Sequence, residues 1–159
     1  MRAKRVAPTR AVSRPDAARL PCANRYGLFA IMTTTRDEIV VEGSDDGVEW
    51  RPYQFKYKPG DVGRRPSWVA PHQPRLDWQM WFAALGGDDS EPWFRRFLDR
   101  LLEGSPVVLG LVARDPFDGR PPGFVRARRV HYRFSPGGPA WWTSEPVAEF
   151  TSPRRKRPS

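Results

Sequence analysis

The chain has 159 residues, enough for one domain of ordinary size with unstructured ends, and its only cysteine, Cys22, excludes an intrachain disulfide. No apolar run approaches the roughly 20 residues that a membrane-spanning helix needs. The net charge of +9 lies in two predicted disordered tails, Met1–Ala23 with a net +5 and Thr151–Ser159 with a net +4. The folded region at residues 24–150 is therefore neutral. This argues against specific nucleic-acid binding, because such modules carry clustered charge on a structured face.

The first part of the folded region predicts three strands. Arg25–Thr35 and Glu38–Gly43 are rich in aromatic and β-branched residues, as strands are. The segment Ser44–Gly47 ends in Asp-Gly, which favours a tight hairpin, and Val48–Tyr57 is predicted to return as the partner strand. Pro52 cannot donate a hydrogen bond to a sheet ladder, so this third strand is predicted at a sheet edge.

The stretch from Pro74 to Leu85 predicts a helix that is apolar nearly all round and ends at a glycine pair. One face carries Trp78, Trp81, Phe82 and Leu85, and the other carries Leu76, Met80, Ala83 and Ala84. Such a helix must be buried in a core or must cover another apolar surface. Asp77 is expected to accept hydrogen bonds from free backbone N–H groups at the helix start.

The last part of the chain predicts one or two further helices, which makes two or three in total, and two further strands. Ser90 is predicted to cap a helix that runs from about Pro92 to Gly104 and buries a stripe of Phe and Leu, and a short apolar helix is predicted from Ser105 to about Ala113. Phe124–Phe134 and Ala140–Phe150 are predicted strands. The expected fold is α+β: an antiparallel sheet of about five strands with two to three helices inserted between strands 3 and 4.

No catalytic or metal-binding constellation is visible, so an enzyme is not expected and no cofactor is predicted. The only histidines are His72 and His131, and neither belongs to a cluster with metal-ligand spacing. Ser67, His72 and Asp77 are not expected to form a catalytic triad, because the sequence around Ser67 is not that of a catalytic nucleophile. The sequence also has no Gly-rich phosphate-binding loop. The acidic residues near the hairpin lack calcium-loop spacing. A binding or structural module is the remaining class.

Aromatic side chains are the candidates for a binding surface. Rings at helical spacing are usually core, but a contiguous exposed aromatic patch marks a binding site, and Trp, Tyr and Arg dominate interface energies. Adjacent strand residues point to opposite faces, so Trp141 and Trp142 cannot both face inward. The predicted partner-binding residues are Arg75, Trp78, Trp81, Phe82, Trp141 and Trp142.

Several motifs, in one order, resemble the C-terminal domain of the lipase maturation factor family. The motifs are NRYGLFAIMTT at Asn24–Thr34, EIVVEGSDDG at Glu38–Gly47, WRPYQFKYKPGD at Trp50–Asp61, PHQPRLDWQMWFAAL at Pro71–Leu85, PWFRRFLDRLLEG at Pro92–Gly104 and DPFDGRPPGFVRA at Asp115–Ala127, followed by Trp141–Trp142. The resemblance covers roughly residues 24–150. The resemblance implies a family of membrane proteins, and we expect the membrane-spanning part of that family to be absent from this chain.

The resemblance implies a noncatalytic, chaperone-like assistant that helps secreted lipases reach an active folded state. In eukaryotes the family is placed at the endoplasmic reticulum membrane, whereas this chain by itself is expected to be soluble. Arginine heavily outnumbers lysine and Ala, Pro and Gly are common, as in GC-rich bacterial genomes, so we expect a bacterial homologue. The expected partner is a lipase or another secreted client protein.

One alternative function stays open at this stage. The run EIVVEGSDDGVEWRPY resembles the strand–turn–strand of discoidin-like β-sandwich modules that bind carbohydrates or lipid head groups. A sandwich whose loops converge on an exposed aromatic platform would favour that alternative. The helical middle of the chain does not suit a plain sandwich.

Overall fold

The computed structural model describes residues 36–69, 72, 74–86, 91–135 and 137–156, which all belong to one compact unit, Thr33–Ser159. Its elements are β1 (Arg36–Ser44), β2 (Arg51–Pro52), β3 (Gln54–Phe55), α1 (Arg75–Gly86), α2 (Pro92–Leu102), α3 (Pro106–Leu109), β4 (Val112–Arg114), β5 (Phe124–Phe134) and β6 (Trp142–Arg155). The predicted N-terminal tail and the predicted strand at residues 25–35 lie outside the described residues.

The central feature is a four-stranded antiparallel sheet with the strand order β2-β1-β5-β6, and β3 and β4 form a separate antiparallel pair. The register places Val41 opposite Ala127 and Gly43 opposite Val125. Because side chains alternate between the two faces of a strand, these residues share one face with Ile39. The α+β prediction is confirmed, and the three helices are inserted between β3 and β4 as expected.

The core lies between that face of the sheet and the helices, with α1 packed on β1 and α2 packed on β5. The fully buried apolar side chains of this layer include Ile39, Val41, Met80, Phe94, Leu98, Leu101, Val125 and Ala127. Each large side chain contributes about 1.5–3 kcal/mol by leaving water. A discoidin-like sandwich of two packed sheets is not supported, because helices cover this face of the four-stranded sheet.

The predicted third strand, Val48–Tyr57, is divided between the two sheets. Only Arg51 and Pro52 pair with β1, at the edge of the sheet, where the missing N–H of Pro52 is tolerated. After Tyr53 donates its N–H to the carbonyl of Val41 at 2.9 Å, the chain leaves to pair with β4. The connection from β1 is also longer than the tight hairpin that was predicted, since Gly43 lies opposite Arg51.

Within that connection, Asp46 organises the turn. Its carboxylate accepts hydrogen bonds from the backbone N–H groups of Val48 and Glu49 and from the hydroxyl of Ser44. These bonds favour the charged form, so they lower the pKa of Asp46 to about 2, with the Val48 N–H as the largest cause. Gly47 has a φ of 79°, the left-handed conformation that the sequence predicts for it.

Helix α2 follows the prediction closely. Pro92 occupies its first turn, and the predicted stripe of Phe94, Phe97, Leu98 and Leu101 is buried. Gly104 ends it with a φ of 68°, where its N–H and that of the next residue return to carbonyls of the last turn. The predicted N-cap, Ser90, lies outside the described residues.

The two following elements differ from the prediction. The short helix predicted to reach Ala113 ends at Leu109, and Val112–Arg114 is a strand instead, because buried Val112 pairs with Phe55. The last strand continues to Arg155 rather than ending at Phe150, so residues 151–155 belong to the sheet and not to the predicted tail. Thr151 explains the extension: it is buried, and its hydroxyl accepts the N–H of Ala127 at 3.1 Å.

Candidate functional site

Helix α1 packs with its Met and Ala side chains inward and leaves most of its predicted aromatic face open. Met80, Ala83 and Ala84 are buried against the sheet. Trp78 and Trp81 are half-buried, whereas 46% of the Phe82 surface is exposed. As expected for an apolar helix, α1 covers another apolar surface, the sheet at β1, with its inner face, while the aromatic face keeps contact with water. Small residues on the opposite face allow the helix backbone to approach the sheet closely, which favours this orientation.

Trp78, Trp81 and Phe82 form one contiguous cluster, called the helix cluster below. Their ring centroids lie 5.6 Å apart for Trp78–Trp81, 5.3 Å for Trp78–Phe82 and 5.4 Å for Trp81–Phe82. The spacing i, i+3, i+4 puts these side chains on one face of a helix, and tilted ring pairs at such distances are favourable. Arg36 extends the cluster toward β1, with its guanidinium 5.9 Å from the centroid of the Trp81 ring.

The helix cluster borders a groove of about 790 Å³ between α1 and the start of α2. The residues that line it are Arg75, Trp78, Gln79, Phe82, Ala83, Gly86, Glu91 and Trp93. Its walls are thus aromatic, and Arg75 and Glu91 supply charges of opposite sign. Of the predicted site residues, the groove brings together Arg75, Trp78 and Phe82, while Trp81 belongs to the cluster without lining the groove.

Trp93 is a groove residue that sequence reasoning missed. It stands one position before the buried Phe94, outside the apolar stripe of α2, and it is only partly buried. A large aromatic residue off the core stripe of an amphipathic helix is the signal that could have identified it.

Asp77 fixes the position of α1 relative to the preceding loop. Its carboxylate is buried and accepts hydrogen bonds from the backbone N–H groups of Tyr57, at 3.0 Å, and Lys58, at 2.9 Å. The sequence predicts N–H partners for Asp77 at the start of its own helix, but these two partners come from the segment after β3. Asp77 is therefore a structural tether for the helix that carries the aromatic rings.

The predicted pair Trp141–Trp142 divides into one anchored and one exposed ring. The indole N–H of Trp142 donates to the carbonyl of Arg64 at 3.1 Å, and its ring packs against Tyr132 and Phe134. Trp141 faces outward, with 40% of its surface exposed. The structure therefore places the pair apart from the groove, at the end of the β5–β6 hairpin.

A polar cleft of about 200 Å³ opens on the sheet face that the helices leave uncovered. Buried Lys58 lines it, and the Lys58 ammonium contacts Glu38 at 3.3 Å and the carbonyl of Ile39 at 2.8 Å. Tyr132 closes one side, and its hydroxyl donates to the carbonyl of Gly60 at 2.8 Å. Burial raises the pKa of Tyr132 to about 12.

Within the part of the chain that the structure describes, no hydrogen bond or ion pair joins Ser67, His72 and Asp77 into one set. His72 lies against the ring of Tyr57, Ser67 is exposed, and Asp77 is occupied by the two backbone N–H groups. His131 pairs with Asp37. In the described ranges, no group of three His, Cys, Asp or Glu side chains is placed to hold a metal ion. None of the helices described has the length and hydropathy that a membrane crossing requires.

Comparison with known proteins agrees with the motif pattern. The family model described as "Lipase maturation factor C-terminal domain" matches residues 22–152. The chain is 51% identical to "Lipase maturation factor 2" of Mus musculus over 139 residues, which is 82% of this chain and 20% of that protein. It is 46% identical to "Lipase maturation factor 2" of Gallus gallus over 144 residues, 83% of this chain and 20% of that protein.

A second type of relative is more distant. The chain is 36% identical to "Lipase maturation factor 1" of Mus musculus over 149 residues, which is 86% of this chain and 26% of that protein. It thus spans a fifth to a quarter of the length of these relatives. No solved structure matches it. On the family model and these identities, the chain belongs to the lipase maturation factor family.

Proposed function

We propose that this domain assists the maturation of a secreted lipase by holding apolar segments of the unfinished chain in the groove beside the helix cluster. One observation carries the proposal: α1 buries Met80, Ala83 and Ala84 and leaves the rings of Trp78 and Phe82 on an open groove that Trp93 also lines. An unfinished client exposes apolar segments that the native lipase buries. Aromatic walls bind such segments without demanding one sequence, because they offer large contact area and few hydrogen-bond requirements.

The proposed action is noncatalytic. It needs no covalent step and no nucleotide, since binding and release of apolar surface are reversible. Arg75 and Glu91 at the groove orient polar groups that flank the apolar segment. The sequence-based expectation of a second client contact at Trp141 and Trp142 stays a prediction. The proposal does not depend on it, because Trp142 is anchored to Arg64 and neither ring lines the groove.

The test is capture of a secreted lipase by the full chain, comparing partly unfolded lipase with native lipase. We expect selective capture of the partly unfolded form. Phe82→Ala should weaken this capture about tenfold or more, because truncation of an aromatic anchor at an interface typically costs about 2 kcal/mol. The domain itself should stay folded, because nearly half of the Phe82 surface is already exposed.

Val107→Ala is the matched control. Val107 is an apolar residue of α3 with 79% of its surface exposed, and it does not line the groove. Equal capture by Phe82→Ala and Val107→Ala would show that the groove is not the client site. Equal capture of native and partly unfolded lipase would contradict a role in maturation.

A further inference from the structure

A second exposed aromatic surface lies at the end of the β5–β6 hairpin. Phe134 and Trp141 are 50% and 40% exposed and their ring centroids lie 6.2 Å apart, while Trp68, 88% exposed, lies on the loop that the hairpin end contacts; the three residues are called the aromatic tip below. Neither the groove nor the polar cleft includes any of these residues. The tip thus presents its rings outward on two adjoining segments, the loop after β3 and the hairpin end.

Hydrogen bonds join these two segments firmly. The backbone N–H groups of Trp141 and Trp142 both donate to the carbonyl of Val62, at 3.0 and 3.1 Å. The indole of Trp142 adds its bond to the carbonyl of Arg64. The guanidinium of Arg65 lies 5.6 Å from the centroid of the Trp141 ring. Trp68 follows Arg65 by three residues, so the Cα atoms of these two residues are at most about 11 Å apart. The loop at residues 62–65 is therefore fixed against the hairpin end that carries Trp141.

The charges around the tip are mostly positive. Arg65 and Arg133 are exposed, and Arg64 uses its guanidinium to hold the carbonyls of Phe55 and Lys56. The acidic residue of the loop, Asp61, accepts the N–H of Gly63. Exposed Trp and Phe beside exposed Arg is the composition of a membrane–water interface, where rings enter the head-group region and guanidinium groups contact phosphates.

We propose that the aromatic tip binds the surface of an anionic lipid bilayer, with Trp68, Phe134 and Trp141 entering the head-group region and Arg65 and Arg133 contacting phosphates. The groove favours a protein segment because it is concave. The tip favours a bilayer because its rings project outward, beside cations that complement an anionic surface. This inference goes beyond the proposed function, which does not require the tip.

The experiment uses the full chain and two kinds of vesicle: phosphatidylcholine alone, and phosphatidylcholine with phosphatidylserine in equal parts. The basic chain ends attract anionic lipid in every variant equally, so the variants isolate the tip. We expect Trp68→Ala with Trp141→Ala to weaken binding to the anionic vesicles about tenfold. Arg65→Gln and Arg133→Gln should weaken it about fivefold each. Val107→Ala should bind like the unmodified chain.

A second readout separates ring insertion from attraction by the tails. Bromine atoms on the lipid acyl chains quench tryptophan fluorescence only where a ring enters the bilayer. We expect quenching of the unmodified chain and a clear loss of quenching in Trp68→Ala alone, a variant that cannot unfold the domain because Trp68 is almost fully exposed.

Three results would overturn the proposal. The first is equal vesicle binding by the unmodified chain and the tip variants, and the second is binding without quenching, which would assign the attraction to the tails. The third is a tip variant that loses capture of partly unfolded lipase while its vesicle binding is unchanged, which would make the tip a protein contact. Failure of the groove instead appears as normal lipase capture by Phe82→Ala, so the two proposals fail separately.

Discussion

Three buried charged residues, Glu38, Lys58 and Asp77, fix the position of helix α1 on the sheet. Lys58 contacts Glu38 and the carbonyl of Ile39, both in β1, while its backbone N–H is held by Asp77 of α1. The loop at this lysine is therefore fastened to the sheet by its side chain and to the helix by its backbone. Sequence reasoning missed this link, because a lysine in a turn-rich segment is ordinarily exposed.

Substitution of Lys58 tests this link. Lys58→Met removes one of the two cations that contact the buried Glu38, and the loss of a hydrogen bond to a charged group typically costs about 1.5–3 kcal/mol. We expect a loss of that order in the free energy of unfolding, measured by urea denaturation. Lys56→Met is the control, because Lys56 is exposed and should change stability by about 1 kcal/mol or less. Equal effects of the two substitutions would contradict the structural role of Lys58.

Helix α1 shows what an element-scale pattern can and cannot decide. Its position and length follow from the sequence within one residue at each end, since the observed helix is Arg75–Gly86. Its orientation does not follow, because both faces are apolar and periodicity gives no preference between them. Close packing of Ala83 and Ala84 against the sheet decides the orientation, and that is a tertiary effect.

This orientation is tested by truncating one residue on each face of α1. Met80 is fully buried, so Met80→Ala should lower the free energy of unfolding by about 2–5 kcal/mol. Phe82→Ala should lower it by about 1 kcal/mol or less, because that ring keeps water contact. Urea denaturation of the two variants measures both effects. The reverse order would mean that the aromatic face is the buried one.

The other elements also fall into two groups: those whose local sequence pattern predicts them, and those that depend on a partner distant in the sequence. β1, β5 and α2 were predictable because their patterns are local: a β-branched run, an alternating strand and an amphipathic stripe ended by Gly104. The strand β4 and the last residues of β6 were not, because Val112 pairs with the distant Phe55 and Thr151 with Ala127. The same holds for the candidate site. The sequence identified the aromatic residues of α1, but not which of their rings are exposed and not that Trp93 lines the groove, because both depend on tertiary packing.

At the scale of the whole described domain, the helix cluster and the hairpin rings lie at the same end of the sheet. Arg36 connects them: its guanidinium faces Trp81, and its backbone lies opposite Tyr132, whose ring centroid is 6.3 Å from that of Trp142. Arg155 lies opposite Phe124, at the other end of β5. The two proposals together predict that an unfinished lipase is held beside a bilayer at this end of the domain.

The central claim is that the groove beside the helix cluster contacts unfinished lipase. Hydroxyl-radical footprinting of the full chain, alone and with partly unfolded or native lipase, tests it most directly. The account predicts that Trp78, Phe82 and Trp93 become protected from oxidation only with the partly unfolded lipase. Trp68 should stay equally oxidised in all three lipid-free samples. Unchanged oxidation of the groove rings, with protection on another surface of the domain, would contradict the account.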